Sequence, residues 1–134
     1  MPDARATVLL ISPHETDHSF LRRLFNRSRW LVRCVRSGRE AWNCLRRGAA
    51  SVVVCEKELP DCTWKEVLEE ITELEHPPPL IVTSRLADES LWAEVLNLGG
   101  YDVLMKPFDP VEVVRVLSLA WRHSHSLRAA PAGA

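Results

Sequence analysis

Five short apolar runs, each followed by a stretch with helical spacing, limit this chain to a small set of folds. Thr7 to Ser12 reads TVLLIS and is closed by Pro13. Trp30 to Val35 alternates, Ser51 to Cys55 reads SVVVC, Leu80 to Thr83 or Ser84 follows three prolines, and Tyr101 to Met105 completes the series. Runs this short and continuous suit strands covered on both faces.

The intervening segments carry helix signals. Thr16 or Asp17 is placed to cap a helix through Arg27, with Phe20, Leu21, Leu24 and Phe25 on one buried face. After the Ser37-Gly38 turn, Arg39 to Arg47 forms a short helix stopped by Gly48. Thr63 to Leu74 places Val67, Leu68, Ile71 and Leu74 together, and Pro77-Pro78-Pro79 ends any helix before the fourth strand. Asp88 caps a helix carrying Leu91, Trp92, Val95 and Leu96, which Gly99-Gly100 ends. Asp109-Pro110 opens a last helix expected to run to about His123. The domain is therefore expected over residues 1–123, with 124–134, SHSLRAAPAGA, as a disordered tail.

Strict alternation of strand and helix predicts an α/β fold, a parallel sheet with helices on both faces in three layers. Ligands and chemistry in such sheets gather at the carboxyl ends of the strands. Four positions meet there: Ser12-Pro13, Glu56, Thr83-Ser84 and Lys106-Pro107.

Composition narrows the function classes. The chain has 134 residues, 46% hydrophobic and 26% charged, as expected of one soluble domain. No apolar stretch approaches the ~20 residues of a membrane span, and Met1 to Arg5 has no signal-peptide core, so a cytoplasmic location without membrane contact is expected. Cys34, Cys44, Cys55 and Cys62 form no CxxC pair and read as reduced thiols. Residues 1–50 hold ten arginines against four acids, whereas the remainder holds seven basic and fourteen acidic residues. No nucleic-acid motif accompanies the arginines, so DNA binding by this chain alone is not expected. No Walker, GxSxG or GxGxxG motif is present and Ser12, Thr83 and Ser84 lack a paired base, so no enzyme activity is expected. His123 and His125 have poor spacing for shared metal ligation, and His14 is expected at the rim of the strand-end pocket.

Over roughly residues 6–123 the chain resembles the receiver domain of bacterial two-component response regulators. The resemblance rests on Lys106-Pro107-Phe108, Leu98-Gly99-Gly100, Ile81-Val82-Thr83-Ser84 and Glu56-Lys57-Glu58-Leu59-Pro60, taken together in their order and spacing along the chain. It implies a flavodoxin-like (βα)5 fold with strand order 2-1-3-4-5. It places Glu56 where the family's phosphoacceptor aspartate stands, and Thr83 and Lys106 where the phosphoryl oxygens are bound. The two Mg²⁺-holding acids fall on Ser12 and Pro13. The aromatic switch position falls on Val103, and the Lys106-Pro107 bond is expected to be cis. Sliding the alignment by two residues would carry Glu15 toward the metal site, but the gapless register keeps Phe20, Leu21, Leu24 and Phe25 on the first helix and is preferred.

These substitutions imply a degenerate pseudo-receiver. Mg²⁺ wants an octahedral oxygen shell with carboxylates, and Ser12 and Pro13 provide none, so loss of Mg²⁺ binding is expected and no cofactor is assigned. Glu56 carries its carboxylate roughly 1.5 Å further than aspartate would, in reach of Lys106 and Thr83. Asp61, beyond Pro60, is a poor substitute acceptor. The expected function is a phosphorylation-independent protein–protein interaction module of two-component signalling. The alternatives are a conventional phosphorelay receiver accepting phosphate at Glu56, or a small-molecule pocket using Ser12, His14 and Lys106. Partner binding or dimerisation is expected on the face of the fourth helix, fifth strand and fifth helix, with Trp92, Val113, Val116 and Trp121 as contacts.

Overall fold

The computed structural model describes residues 6–86 and 88–129. Among them, five strands and five helices alternate in the order β1 (Thr7–Ile11), α1 (Glu15–Leu24), β2 (Leu31–Val35), α2 (Gly38–Arg46), β3 (Val52–Glu56), α3 (Trp64–Thr72), β4 (Leu80–Ser84), α4 (Glu89–Leu98), β5 (Asp102–Met105) and α5 (Pro110–Ala129). The sheet is parallel throughout, in the order β2-β1-β3-β4-β5. This is the expected flavodoxin-like arrangement.

Strand alternation builds the three layers. Leu9, Ile11, Val53, Cys55, Leu80 and Val82 point to one face, where Ala41 and Leu45 of α2, Val67, Leu68 and Ile71 of α3, and Leu91 and Val95 of α4 cover them. Val8, Leu10, Val52, Val54 and Ile81 point to the other, against Leu21 and Phe25 at α1 and Val113, Val116, Leu117 and Ala120 of α5. Each central strand thus buries both sets of side chains, which is why β1, β3 and β4 read as unbroken apolar runs. The register sets Glu56 of β3 beside Thr83 of β4 and brings Ser12, Glu56, Thr83 and Lys106 to one sheet edge.

Some helix ends differ from expectation. His14, not Thr16 or Asp17, is the N-cap of α1, and no side chain caps it. Asp17 lies in the first turn with its carboxylate turned inward, 5% exposed. The helix ends at Leu24 because a turn follows, in which Ser28 Oγ donates to the Phe25 carbonyl at 2.8 Å and Phe25 stacks on Trp30. Asp88 caps α4 through the Leu91 amide at 2.9 Å, and Gly99 ends it at φ 107°, a left-handed conformation that glycine adopts without a Cβ clash.

Helix α5 runs to Ala129 rather than stopping near His123, so the segment expected to be disordered begins inside it. No Pro or Gly interrupts residues 111–130, and the added turns place His125 in a stack on Trp121 with ring centroids 5.0 Å apart. Residues 130–134 lie outside the described residues.

Helix α2 begins against a distant carboxylate. Asp61, in the loop after β3, accepts from the Gly38 amide at 2.9 Å and the Arg39 amide at 3.0 Å. The Gly38 hydrogen bond is the largest cause and, with the Arg39 one, lowers the Asp61 pKa below its usual 3.8 against an opposing desolvation. A depressed carboxylate pKa means stability that is present above the unfolded-state value and lost as pH falls through the folded one. Asp61→Ala is expected to cost about 1 kcal/mol at neutral pH, as for a lost helix cap. In urea unfolding the difference from wild type should shrink as pH falls below the usual carboxylate value and the wild-type carboxylate itself protonates. A neutral-pH cost of zero would contradict this cap.

Candidate functional site

A single ammonium group fills the centre of the carboxyl edge. Lys106 Nζ lies 2.8 Å from Glu56 Oε1 and 3.0 Å from Asp17 Oδ2. The three side chains are 7%, 12% and 6% exposed for Lys106, Glu56 and Asp17, so this is a buried ion triad with little solvent screening. Hydroxyls complete it: Thr83 Oγ1 donates to Glu56 Oε1 at 2.8 Å, and Ser12 Oγ donates to Asp17 Oδ2 at 2.7 Å. No buried side-chain nitrogen or oxygen among the described residues lacks a partner.

Each element places its residue by a local cause. Glu56 ends β3 and Thr83 faces it across the β3–β4 ladder. Lys106 leaves β5 with its amide bonded to the Ser84 carbonyl at 3.0 Å, and the Lys106-Pro107 bond is cis. Ser12 follows β1 and is fully buried. Its hydroxyl also accepts the His14 amide at 3.0 Å, and its carbonyl accepts from His18 Nε2 at 2.8 Å. Because a carbonyl only accepts, Nε2 of His18 carries the hydrogen.

The sequence-predicted residues separate into two groups. Glu56, Thr83 and Lys106 come together, with Ser12 joined to them through Asp17. Pro13 is half-buried and its carbonyl accepts from Arg36 at 3.1 Å, while His14 is exposed at the rim. Pro107 lines a cleft of about 470 Å³ beside Lys106, with Asp17, Phe20, Arg85 and Phe108, but Ser12 and His14 do not share it. Glu15 lies outside the site, 60% exposed and paired with Arg36, which agrees with the gapless register. Asp61 spends both oxygens on α2.

Asp17 and His18 were missed. Both are buried, at 5% and 3% exposure. Asp17 stands three, four and seven residues before Phe20, Leu21 and Leu24, so it lies on the apolar stripe of α1. An acid on such a stripe is a buried charge needing a partner, and that spacing was the available signal.

Two proposed interface residues are core residues. Val113 and Val116 are each 1% exposed and pack inside the α1–α5 layer. The broad apolar surface of α5 has its outer side at Val111, Val114 and Leu119 instead, 76%, 40% and 40% exposed. Trp121 is half-buried against the same layer. Trp92 is 50% exposed, and Val103 is half-buried beside it, lining the groove between α4 and β5.

The donor set does not suit the family's metal. Magnesium is usually bound through one or two carboxylates, whereas the two positions the resemblance assigns to its acids are Ser12 and Pro13, and the acids present, Asp17 and Glu56, are both paired with Lys106. The described residues contain no group of three or more His, Cys, Asp or Glu side chains positioned to hold a metal ion. Chemically the arrangement neutralises, orients and excludes water. Removing the ammonium leaves two buried carboxylates facing each other, so Lys106→Met alone should cost about 3–5 kcal/mol in urea unfolding. Adding Asp17→Asn and Glu56→Gln to that variant should recover most of the loss. Equal stability of the single and triple variants would contradict a coupled triad.

Comparison with known proteins agrees with this architecture. The response regulator receiver domain family matches residues 8–118. The hydrogenase transcriptional regulatory protein HoxA of Cupriavidus necator is 32% identical over 115 residues, covering 85% of this chain and 24% of that protein. The chemotaxis protein CheY of Thermotoga maritima is 26% identical over 82 residues, covering 61% of this chain and 68% of that one. The crystal structure of the signal receiver domain of an HD domain-containing protein from Pseudomonas fluorescens superposes with a TM-score of 0.86 at 25% identity, covering 96% of this chain and 95% of that one. The chain spans about a quarter of the length of the hydrogenase regulator. With the fold, the strand-end residues and the family match in agreement, this chain belongs to the response regulator receiver domain family.

Proposed function

We propose that this receiver works without phosphorylation, as a protein–protein interaction module in two-component-type signalling, with neither Mg²⁺ binding nor an enzymatic activity of its own. The observation that carries the reading is the Lys106 ammonium held between Asp17 and Glu56. Phosphoryl transfer needs neutralisation of the transferring oxygens, supplied in most such sites by a divalent ion. In this reading the internal cation takes that place, and one oxygen of each acid is already shared by Lys106 and a hydroxyl, Thr83 at Glu56 and Ser12 at Asp17. Among the described residues no helix is long and apolar enough to cross a membrane, and a cytoplasmic location is part of this proposal.

A second reading is favoured by one specific contact. Glu56 Oε1 receives both the Thr83 hydroxyl and the Lys106 ammonium, the groups that the resemblance assigns to phosphoryl oxygens. A carboxylate in that position acts as a built-in substitute for the phosphorylated state. Val103, without an aromatic ring, weighs toward a structural pair instead.

Calorimetric titration with beryllofluoride and millimolar Mg²⁺ tests the proposal. No saturable heat is expected from the wild type. Restoring acids with Ser12→Asp, Pro13→Asp and Glu56→Asp is expected to introduce it. Saturable binding by the wild-type protein would support conventional phosphorylation at Glu56 and overturn the reading.

A further inference from the structure

The groove between α4, β5 and the start of α5 is a cavity of about 650 Å³ with two chemically distinct parts. Its floor is apolar, formed by Trp92, Val103 and Met105, and Trp92 and Met105 remain 50% and 59% exposed. Leu96, one helical turn beyond Trp92 on α4 and 37% exposed, extends this surface. Its rim is acidic. Glu89 starts α4, Glu112 lies in the first turn of α5, and Asp88 and Asp109 stand just before those helices. Among the described residues no lysine or arginine lines it. Glu112 is paired with Arg115 outside the groove, an exposed pair three residues apart that neutralises little of the rim in water.

We propose that this groove binds a cationic amphipathic segment of a partner protein, with an apolar side chain on Trp92 and Met105 and Lys or Arg side chains over the acidic rim. The inference rests on the interaction-module reading above and adds the chemistry of the partner. An exposed tryptophan over a concave apolar floor is the residue type and setting that dominate binding energy at protein interfaces. Four carboxylates around it repel anionic segments and favour encounter with cationic ones. Neither Asp88 nor Asp109 is free of structural duty, since their carboxylates accept the Leu91 and Val111 amides. Glu89 and Glu112 are therefore the rim charges to alter.

The test uses two amphipathic helical peptides of about 18 residues. They carry identical Leu and Trp positions, one with Lys and Arg on the polar face and the other with Glu. Backbone NMR shifts of the full chain report where each binds. The cationic peptide is expected to shift amides of residues 89–92, 103–105 and 112, with affinity falling as salt rises. Trp92→Ala is expected to weaken it about tenfold, as is the pair Glu89→Lys and Glu112→Lys. Circular dichroism melts verify that the variants fold. Equal binding by the anionic peptide, shifts confined to other surfaces, or no binding by the cationic peptide either alone or with beryllofluoride and Mg²⁺ would overturn the proposal. Self-association abolished by Trp92→Ala would assign the groove to a second copy and overturn it as well. Repeating the titration with beryllofluoride and Mg²⁺ separates the two readings. Binding that appears only then retains the groove chemistry and sinks phosphorylation independence; binding in neither condition sinks the groove alone.

Discussion

An ammonium ion held between two buried carboxylates organises the functional edge of this receiver. Lys106 reaches across from β5 to Glu56 at the end of β3 and to Asp17 in the first turn of α1. Each carboxylate would be costly to bury alone, and the ammonium equally so. Together they are tolerable because the Ser12 and Thr83 hydroxyls converge with the ammonium on Asp17 Oδ2 and Glu56 Oε1, so each carboxylate receives two hydrogen bonds. The stabilisation relative to an apolar replacement is small or absent in such triads, while the cost of breaking one is large. The triad therefore specifies a geometry more than it adds stability. It fixes the exits of β1, β3 and β5 relative to α1.

That geometry follows from the parallel sheet. Every central strand delivers its last residue to the same edge, so Ser12, Glu56, Thr83 and Lys106 converge from positions far apart in the chain. The first helix then presents Asp17 from the side, at the place where the loop acids of the family are replaced by Ser12 and Pro13. The carboxylate that meets Lys106 from this side thus comes from the first turn of α1 and not from the loop after β1. His18, bonded to the Ser12 carbonyl, holds the same loop from below.

The layers and the strand-end residues were legible in the sequence for a physical reason: strands buried on both faces leave unbroken apolar runs, and their exits are fixed by Pro13, Pro60 and the Lys106-Pro107 pair. Glu56, Thr83 and Lys106 could be placed together from that pattern and the resemblance. Asp17 was not placed with them because an acid near a helix start reads first as a cap, and only its spacing to Phe20, Leu21 and Leu24 marks it as inward-facing. Val113 and Val116 were assigned to a surface because a wide apolar helix face does not say which side meets the sheet. The end of α5 was set too early because Ser124 and His125 are weak helix formers, and the Trp121–His125 stack that accompanies the added turns is a contact that propensity does not register.

The face carrying Trp92 and the edge carrying Lys106 meet at β5, where Lys106 directly follows Met105 in the groove floor. A change at the triad is thus one residue from the proposed docking surface, which gives the two a short physical route of coupling. The account stands or falls on what occupies the space between Asp17 and Glu56. A high-resolution crystal structure grown in excess magnesium measures this directly. It should contain Lys106 Nζ within hydrogen-bond distance of both carboxylates and no metal between them. A magnesium ion coordinated by Asp17 and Glu56, with Lys106 displaced, would contradict it.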